Sequence, residues 1–109
     1  MQIDGEKATQ HFASGELFGG KPELLAFYHP QCPHCHTMIE DFVKVADNHK
    51  EVNVVAINMS KSDARALDVN GYPTIRLNKG KEGGLKAFDG RRRDYNGFEE
   101  FLKREGVTQ

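Results

Sequence analysis

Between Leu24 and Cys35 the chain reads LLAFYHPQCPHC, and no other stretch constrains the fold as tightly. Leu24 to His29 is apolar on both faces, the pattern of a strand buried in the middle of a sheet. Pro30 and Pro33 then punctuate it. Proline keeps the residue before it extended and is tolerated in the first turn of a helix, so a helix is predicted to start near Pro33. Ile39, Phe42, Val43 and Ala46 recur at helical spacing while Glu40, Asp41, Lys44 and Asp47 fill the other face, which carries that helix to about His49. A strand, a proline-stiffened turn and a helix thus deliver Cys32 to a helix N-terminus.

The rest of the chain supplies the partners such a strand needs. A short strand near Ile3 and a helix around Lys7 to Ala13 come first. Val52 to Asn58 (VNVVAIN) reads as a second buried strand, and Ser62 as the cap of a short helix over Asp63 to Leu67, closed by Asn70-Gly71. Thr74 to Asn78 (TIRLN) and Leu85 to Asp89 (LKAFD) flank a turn-rich segment, a hairpin signal. A last helix over about Gly97 to Glu105 puts Phe98, Phe101 and Leu102 on one face. The predicted order is β-α-β-α-β-α-β-β-α, an α/β fold with a mixed central sheet and helices on both faces. With 109 residues, no repeats and no low-complexity linker, residues 1–109 are expected to form a single domain.

Charge narrows the function. Fifteen basic against sixteen acidic residues leave no global field to recruit nucleic acid or an anionic membrane. The one basic run, Arg91-Arg92-Arg93, is followed at once by Asp94 and reads as a solvated loop face. No apolar run approaches the roughly 18 residues of a membrane span. Met1 to Lys7 carries no secretory pattern, so the chain is expected to be cytoplasmic if full length, or a domain excised from something longer.

Two cysteines are too few for a disulfide scaffold, and the spacing Cys32-x-x-Cys35 suits chemistry. Unpaired N–H groups and the helix dipole at a helix N-terminus favour a thiolate on Cys32, the species that attacks disulfides. Cys35, one turn on, lies on the same side and can close a small ring with Cys32; its more buried sulfur suits a resolving thiol. His34, when protonated, adds positive charge near Cys32 and lowers its pKa further.

Four segments together resemble the thioredoxin superfamily, and within it the catalytic domains of protein disulfide isomerases. They are LLAFYHPQC, NGYPTI, LKAFDG and RDYNGFEEFL, in the family's order and covering most of residues 20–104. The resemblance implies a thioredoxin fold and a thiol–disulfide oxidoreductase, with Cys32 as nucleophile and Cys35 as resolving cysteine. It also implies a cis Tyr72–Pro73 peptide facing the disulfide and a substrate groove lined by Tyr72, Pro73 and Thr74. Expected partners are proteins with disulfides or dithiols, since a flat site has no pocket for a small molecule. A recycling partner, glutathione or a dedicated reductase or oxidase, completes the cycle. No cofactor, metal, nucleic acid or membrane is expected, and the chain is read as a monomer. As an isomerase domain it would belong to the secretory pathway or endoplasmic reticulum.

The chain departs from the family pattern in ways that point in one direction. Gln31 stands where tryptophan is usual, and Pro33-His34 inside the motif resembles the bacterial periplasmic disulfide oxidase. A customary buried acid is replaced by Ala26, and the lysine often paired with it by Ala56. Losing both is coherent, because removing one alone would strand a buried charge at a cost of about 3–5 kcal/mol. Proton transfer at Cys35 should then be slower or routed through water. A nearby histidine and a missing carboxylate both favour the Cys32 thiolate, which predicts a relatively oxidising couple, toward the roughly −120 to −200 mV end of the range.

Other readings of the same residues stand beside this one. Cys32 to His36 matches the haem-attachment pattern C-x-x-C-H, with His36 as axial ligand and Met38 or Met59 as formal candidates opposite. His29, Cys32, His34, Cys35 and His36 fall within eight residues and are all zinc-ligand types. A thioredoxin-fold binding module without catalysis, or a thioredoxin-like general reductase, are further alternatives. His11 and His49 read as surface positions on helices. His29 reads as a plain strand terminus, with a place on the substrate face as the alternative.

Overall fold

The computed structural model describes residues 1–60, 65, 67–90 and 92–108, with 81 and 82 described by backbone alone. The elements run β1 (Gln2–Asp4), α1 (Gly5–Ser14), β2 (Glu23–Tyr28), α2 (Pro33–Asn48), β3 (Asn53–Asn58), β4 (Thr74–Asn78), a single helical turn α3 (Gly80–Gly83), β5 (Leu85–Ala87) and α4 (Tyr95–Arg104). The sheet order is β1-β3-β2-β4-β5. Strands β1, β3 and β2 run parallel to one another, β4 is antiparallel to β2, and β5 is antiparallel to β4. This is a mixed five-stranded α/β sheet. The predicted helix over Asp63 to Leu67, with its Ser62 cap, falls largely outside the described residues.

All six residues of β2 are buried, as a central strand requires. Alternate side chains serve opposite faces. Leu24 and Ala26 pack with Met38, Phe42 and Val45 of α2 and Phe98, Phe101 and Leu102 of α4. Leu25 and Phe27 pack with Ala8 of α1 and with Ile3, Val55 and Ile57. Each fully buried phenylalanine or leucine contributes about 1.5–3 kcal/mol relative to exposure. The edge-to-face pair of Phe42 and Phe98, with ring centroids 5.8 Å apart, locks α2 against α4. The helix that carries the cysteines is therefore held along its length.

Helix starts are set by acidic caps that periodicity does not reveal. Asp4 accepts from the Lys7 N–H at 2.8 Å, so α1 begins at Gly5, and Asp94 accepts from the Gly97 N–H at 2.9 Å, so α4 begins at Tyr95. The hairpin of β4 and β5 forms as expected, although β5 ends at Ala87. Among the described residues, no helix is long and apolar enough to cross a membrane.

Two histidines expected at the surface have carboxylate partners instead. His11 Nε2 donates to Glu23 Oε2 at 2.7 Å, and its ring stacks on Phe18 with centroids 3.7 Å apart. Glu23 is fully buried and also accepts from the Phe18 N–H and from Asn78 Nδ2, both at 2.9 Å. His49 donates from Nε2 to Glu99 at 2.5 Å and from Nδ1 to Glu51 at 3.0 Å. The Glu99 hydrogen bond is the main reason its pKa rises above the ordinary 6.5. The surface reading missed Glu23 and Glu99 because each comes from another element, whereas Glu51 lies only two residues from His49.

Candidate active site

The turn between β2 and α2 places the two cysteines. Cys32 is the N-cap of α2, with extended backbone (φ −94°, ψ 107°) and Pro33 following at the first helical position. Its Sγ accepts a hydrogen bond from the Cys35 N–H at 3.2 Å, the bond a serine or aspartate cap would make. Negative charge on that sulfur meets the Cys35 N–H, which is shared with the Cys32 carbonyl at 3.2 Å, and the positive end of a 16-residue helix.

Both cysteines are free thiols, Cys32 half-buried and Cys35 at 0% exposure. Cys35 packs with Tyr28 and Ala56 behind Cys32 and Ile39. Burial is the first cause that pushes the Cys35 thiol up to about 11, and its hydrogen bond with Cys32 adds to the rise. A backbone hydrogen bond from His29 and the charge of Arg93 pull the other way. Ala26 and Ala56 are direct register partners on β2 and β3, so the paired loss read from the sequence is a pair in space.

Tyr72, Pro73 and Thr74 lead into β4. The Tyr72–Pro73 peptide is cis. Thr74 is the first residue of β4, pairs with Phe27 of β2 and donates from Oγ1 to the Gly71 carbonyl at 2.6 Å. Tyr72 is 36% exposed, and its ring lies 5.7 Å from that of His29.

His34 is exposed on the first turn of α2. The flat surface expected beside it needs correcting. An open cleft of about 440 Å³ lies between His34, Met38 and Asp41 of α2 and Pro73, Arg93 and Asp94. A larger cleft of about 640 Å³, between Phe12 of α1 and Leu85 of β5, has neither cysteine nor histidine in its lining.

Arg93 was missed as a site residue. It donates from Nη1 to the Pro73 carbonyl at 3.2 Å, whereas its neighbour Arg92 pairs with Asp94. The arginines of this run look alike in sequence, and the fold separates Arg92, paired with Asp94, from Arg93, bonded to the loop that enters β4. Arg91 lies outside the described residues.

Among the described residues, no three His, Cys, Asp or Glu side chains converge to hold a metal ion. His36 Nε2 donates to the Pro30 carbonyl at 2.7 Å, Met38 is buried on the inner side of α2 in the cluster it shares with β2 and α4, and Met59 is buried on the other face of the sheet.

Comparison with known proteins agrees with this geometry. The family model described as Thioredoxin matches residues 7–104. A probable protein disulfide-isomerase A6 from Medicago sativa is 35% identical over 98 residues, covering 84% of this chain and 26% of that protein. The J-Trx1 fragment of ERdj5 superposes with a TM-score of 0.75 at 21% identity, covering 97% of this chain and 50% of that one. Chloroplastic thioredoxin z gives a TM-score of 0.75 at 20% identity, covering 98% and 94%. The two structural likenesses establish the fold. The chain spans between about a tenth and about a quarter of the length of the curated relatives it matches.

Proposed function

Because this chain belongs to the thioredoxin family, we propose that it is a thiol–disulfide oxidoreductase that acts on proteins through Cys32 and Cys35. The observation that carries the reading is the asymmetry of the pair. One sulfur caps a helix and reaches solvent, while the other is fully buried one turn behind it with its thiol pushed up to about 11.

The Cys32 thiolate attacks one sulfur of a substrate disulfide, forming a mixed disulfide and expelling the other sulfur as a thiolate. Cys35 then loses its proton and attacks Cys32 Sγ. The Cys32–Cys35 disulfide forms and the second substrate sulfur leaves reduced. Run backward, the same steps donate a disulfide to a dithiol. The raised pKa keeps Cys35 protonated until the mixed disulfide has formed, so the two thiols act in order. Tyr72, Pro73 and Thr74 bound the groove for the substrate chain, and His34 adds charge beside Cys32 when protonated.

Several features support an oxidising, isomerase-like bias. His34 sits within the motif, no carboxylate stands at Ala26 to oppose a Cys32 thiolate, and the curated relatives are disulfide isomerases. The same relatives favour an oxidising compartment over the cytosol, with glutathione or a dedicated oxidase recycling the site.

The test is the reduction potential of the pair, measured by thiol alkylation in graded glutathione buffers. A value near about −180 mV or higher supports the oxidase or isomerase role, and one near about −270 mV makes the chain a thioredoxin-like reductase. Cys32→Ser should abolish insulin reduction and scrambled-substrate refolding. Background rates in the unaltered chain would instead make it a binding module.

A further inference from the structure

His29 bonds to the active-site turn on several sides. Its carbonyl accepts the Cys32 N–H at 3.0 Å. Its ring Nδ1 accepts the Gln31 N–H at 3.2 Å, closing the same turn from the side-chain end. The outer face of its half-buried ring leans on Tyr72, the residue before Pro73. Because a backbone N–H can only donate, Nδ1 must be the acceptor and the neutral ring carries its proton on Nε2. A side chain accepting the N–H two residues ahead is the arrangement that asparagine and aspartate use to shape turns.

From this geometry we infer that His29 is a positioning residue. Its Nδ1 fixes the Pro30–Gln31 turn so that Cys32 is held in the capping conformation that makes its sulfur reactive. The inference rests on the reading of Cys32 as the attacking thiol. A turn that has lost the Nδ1 acceptor spends less time with Cys32 Sγ on the Cys35 N–H, so the thiolate loses part of its helix-terminal stabilisation. His36, donating to the Pro30 carbonyl, holds the same turn from the helix side and limits the loss.

Two substitutions separate the acceptor from the ring. His29→Phe keeps a ring against Tyr72 and removes the acceptor. His29→Asn removes the ring and keeps an oxygen able to accept the Gln31 N–H. The measurement is the rate of Cys32 carboxamidomethylation by iodoacetamide in the whole chain, localised by mass spectrometry, over about pH 5 to 9. His29→Phe should slow the reaction at pH 7 by about two- to tenfold, the worth of one hydrogen bond, and move the profile to higher pH. His29→Asn should stay within about twofold of the unaltered chain on the same scale. An unmoved profile in His29→Phe overturns the inference, and so does an equal shift in both variants. Alkylation needs no exchange partner. If the unaltered chain exchanges no disulfides while the alkylation pattern holds, the proposed function falls and the role of His29 stands.

Discussion

Arg93 Nη1 donates to the carbonyl of Pro73 at 3.2 Å, tying the loop before α4 to the loop that enters β4. The guanidinium thereby comes close enough to draw the buried Cys35 thiol down, against the burial that dominates its pKa of about 11. Removing the charge should let that pKa climb further. Arg93→Gln is expected to slow the step in which Cys35 resolves a mixed disulfide by about two- to threefold at neutral pH, since each pKa unit is a factor of ten in thiolate. The attack by Cys32 should be unchanged. Rapid-quench trapping of the mixed disulfide separates the two steps, and an unaltered resolution rate would detach Arg93 from the chemistry.

Gly97 stands where α4 meets the loop that carries Arg93. A Cβ there would lie 1.9 Å from the Arg92 carbonyl oxygen, so backbone, not a flexible side chain, would have to give way. The Asp94 cap accepts from the same residue's N–H and would move with it. Gly97→Ala should cost about 2 kcal/mol or more, comparable to overpacking a core, and lower Tm by about 10 °C. A thermal melt within about 2 °C of the unaltered chain would show that the loop yields freely.

What could be read from the sequence follows from the distance over which each signal acts. The central position of β2 was legible because burial on both faces leaves a continuous apolar run, and α2 because prolines and helical spacing are local. The thiol pair was legible for the same reason. The His49–Glu99 contact joins residues 50 apart and the Arg93–Pro73 contact residues 20 apart, so neither leaves a local pattern. The Nδ1 bond of His29 spans only two residues, yet nothing in a histidine before proline announces that its ring turns back to its own loop. The cleft beside His34 exists only once α2 and the loop before α4 are brought together.

The His49 bridge gives a pH dependence whose sign can be worked out. The pKa of His49 is raised above 6.5, chiefly by its hydrogen bond to Glu99, so its contribution is complete below 6.5 and is lost as pH rises through the folded value. The pKa of Glu99 is lowered from 4.5, first by the Tyr95 hydroxyl and then by His49, so its contribution is complete above 4.5 and is lost as pH falls through the folded value. The pair therefore stabilises most between about pH 4.5 and 6.5. The gap in urea midpoint between the unaltered chain and His49→Gln should be widest near about pH 5.5 and narrow by about pH 8.5. A gap constant across that range would mean that His49 acts through packing alone.

Glu23 lies at the opposite end of β2 from the thiol-bearing turn, fully buried, with three donors converging on its carboxyl group: the His11 ring, the Phe18 N–H and the Asn78 amide. Glu23→Ala leaves all three without their acceptor inside the protein, which should cost about 3 kcal/mol or more. Glu23→Gln keeps one acceptor oxygen but turns an NH2 group toward a donor, so its cost should fall between that of alanine and none. Urea denaturation at pH 7 measures both. The α2 turn has its own hydrogen bonds and does not touch Glu23, so Cys32 alkylation in the folded Glu23→Gln variant should match that of the unaltered chain. A slowed Cys32 there, with the fold intact by circular dichroism, would show instead that β2 transmits strain from one end of the sheet to the reactive sulfur at the other.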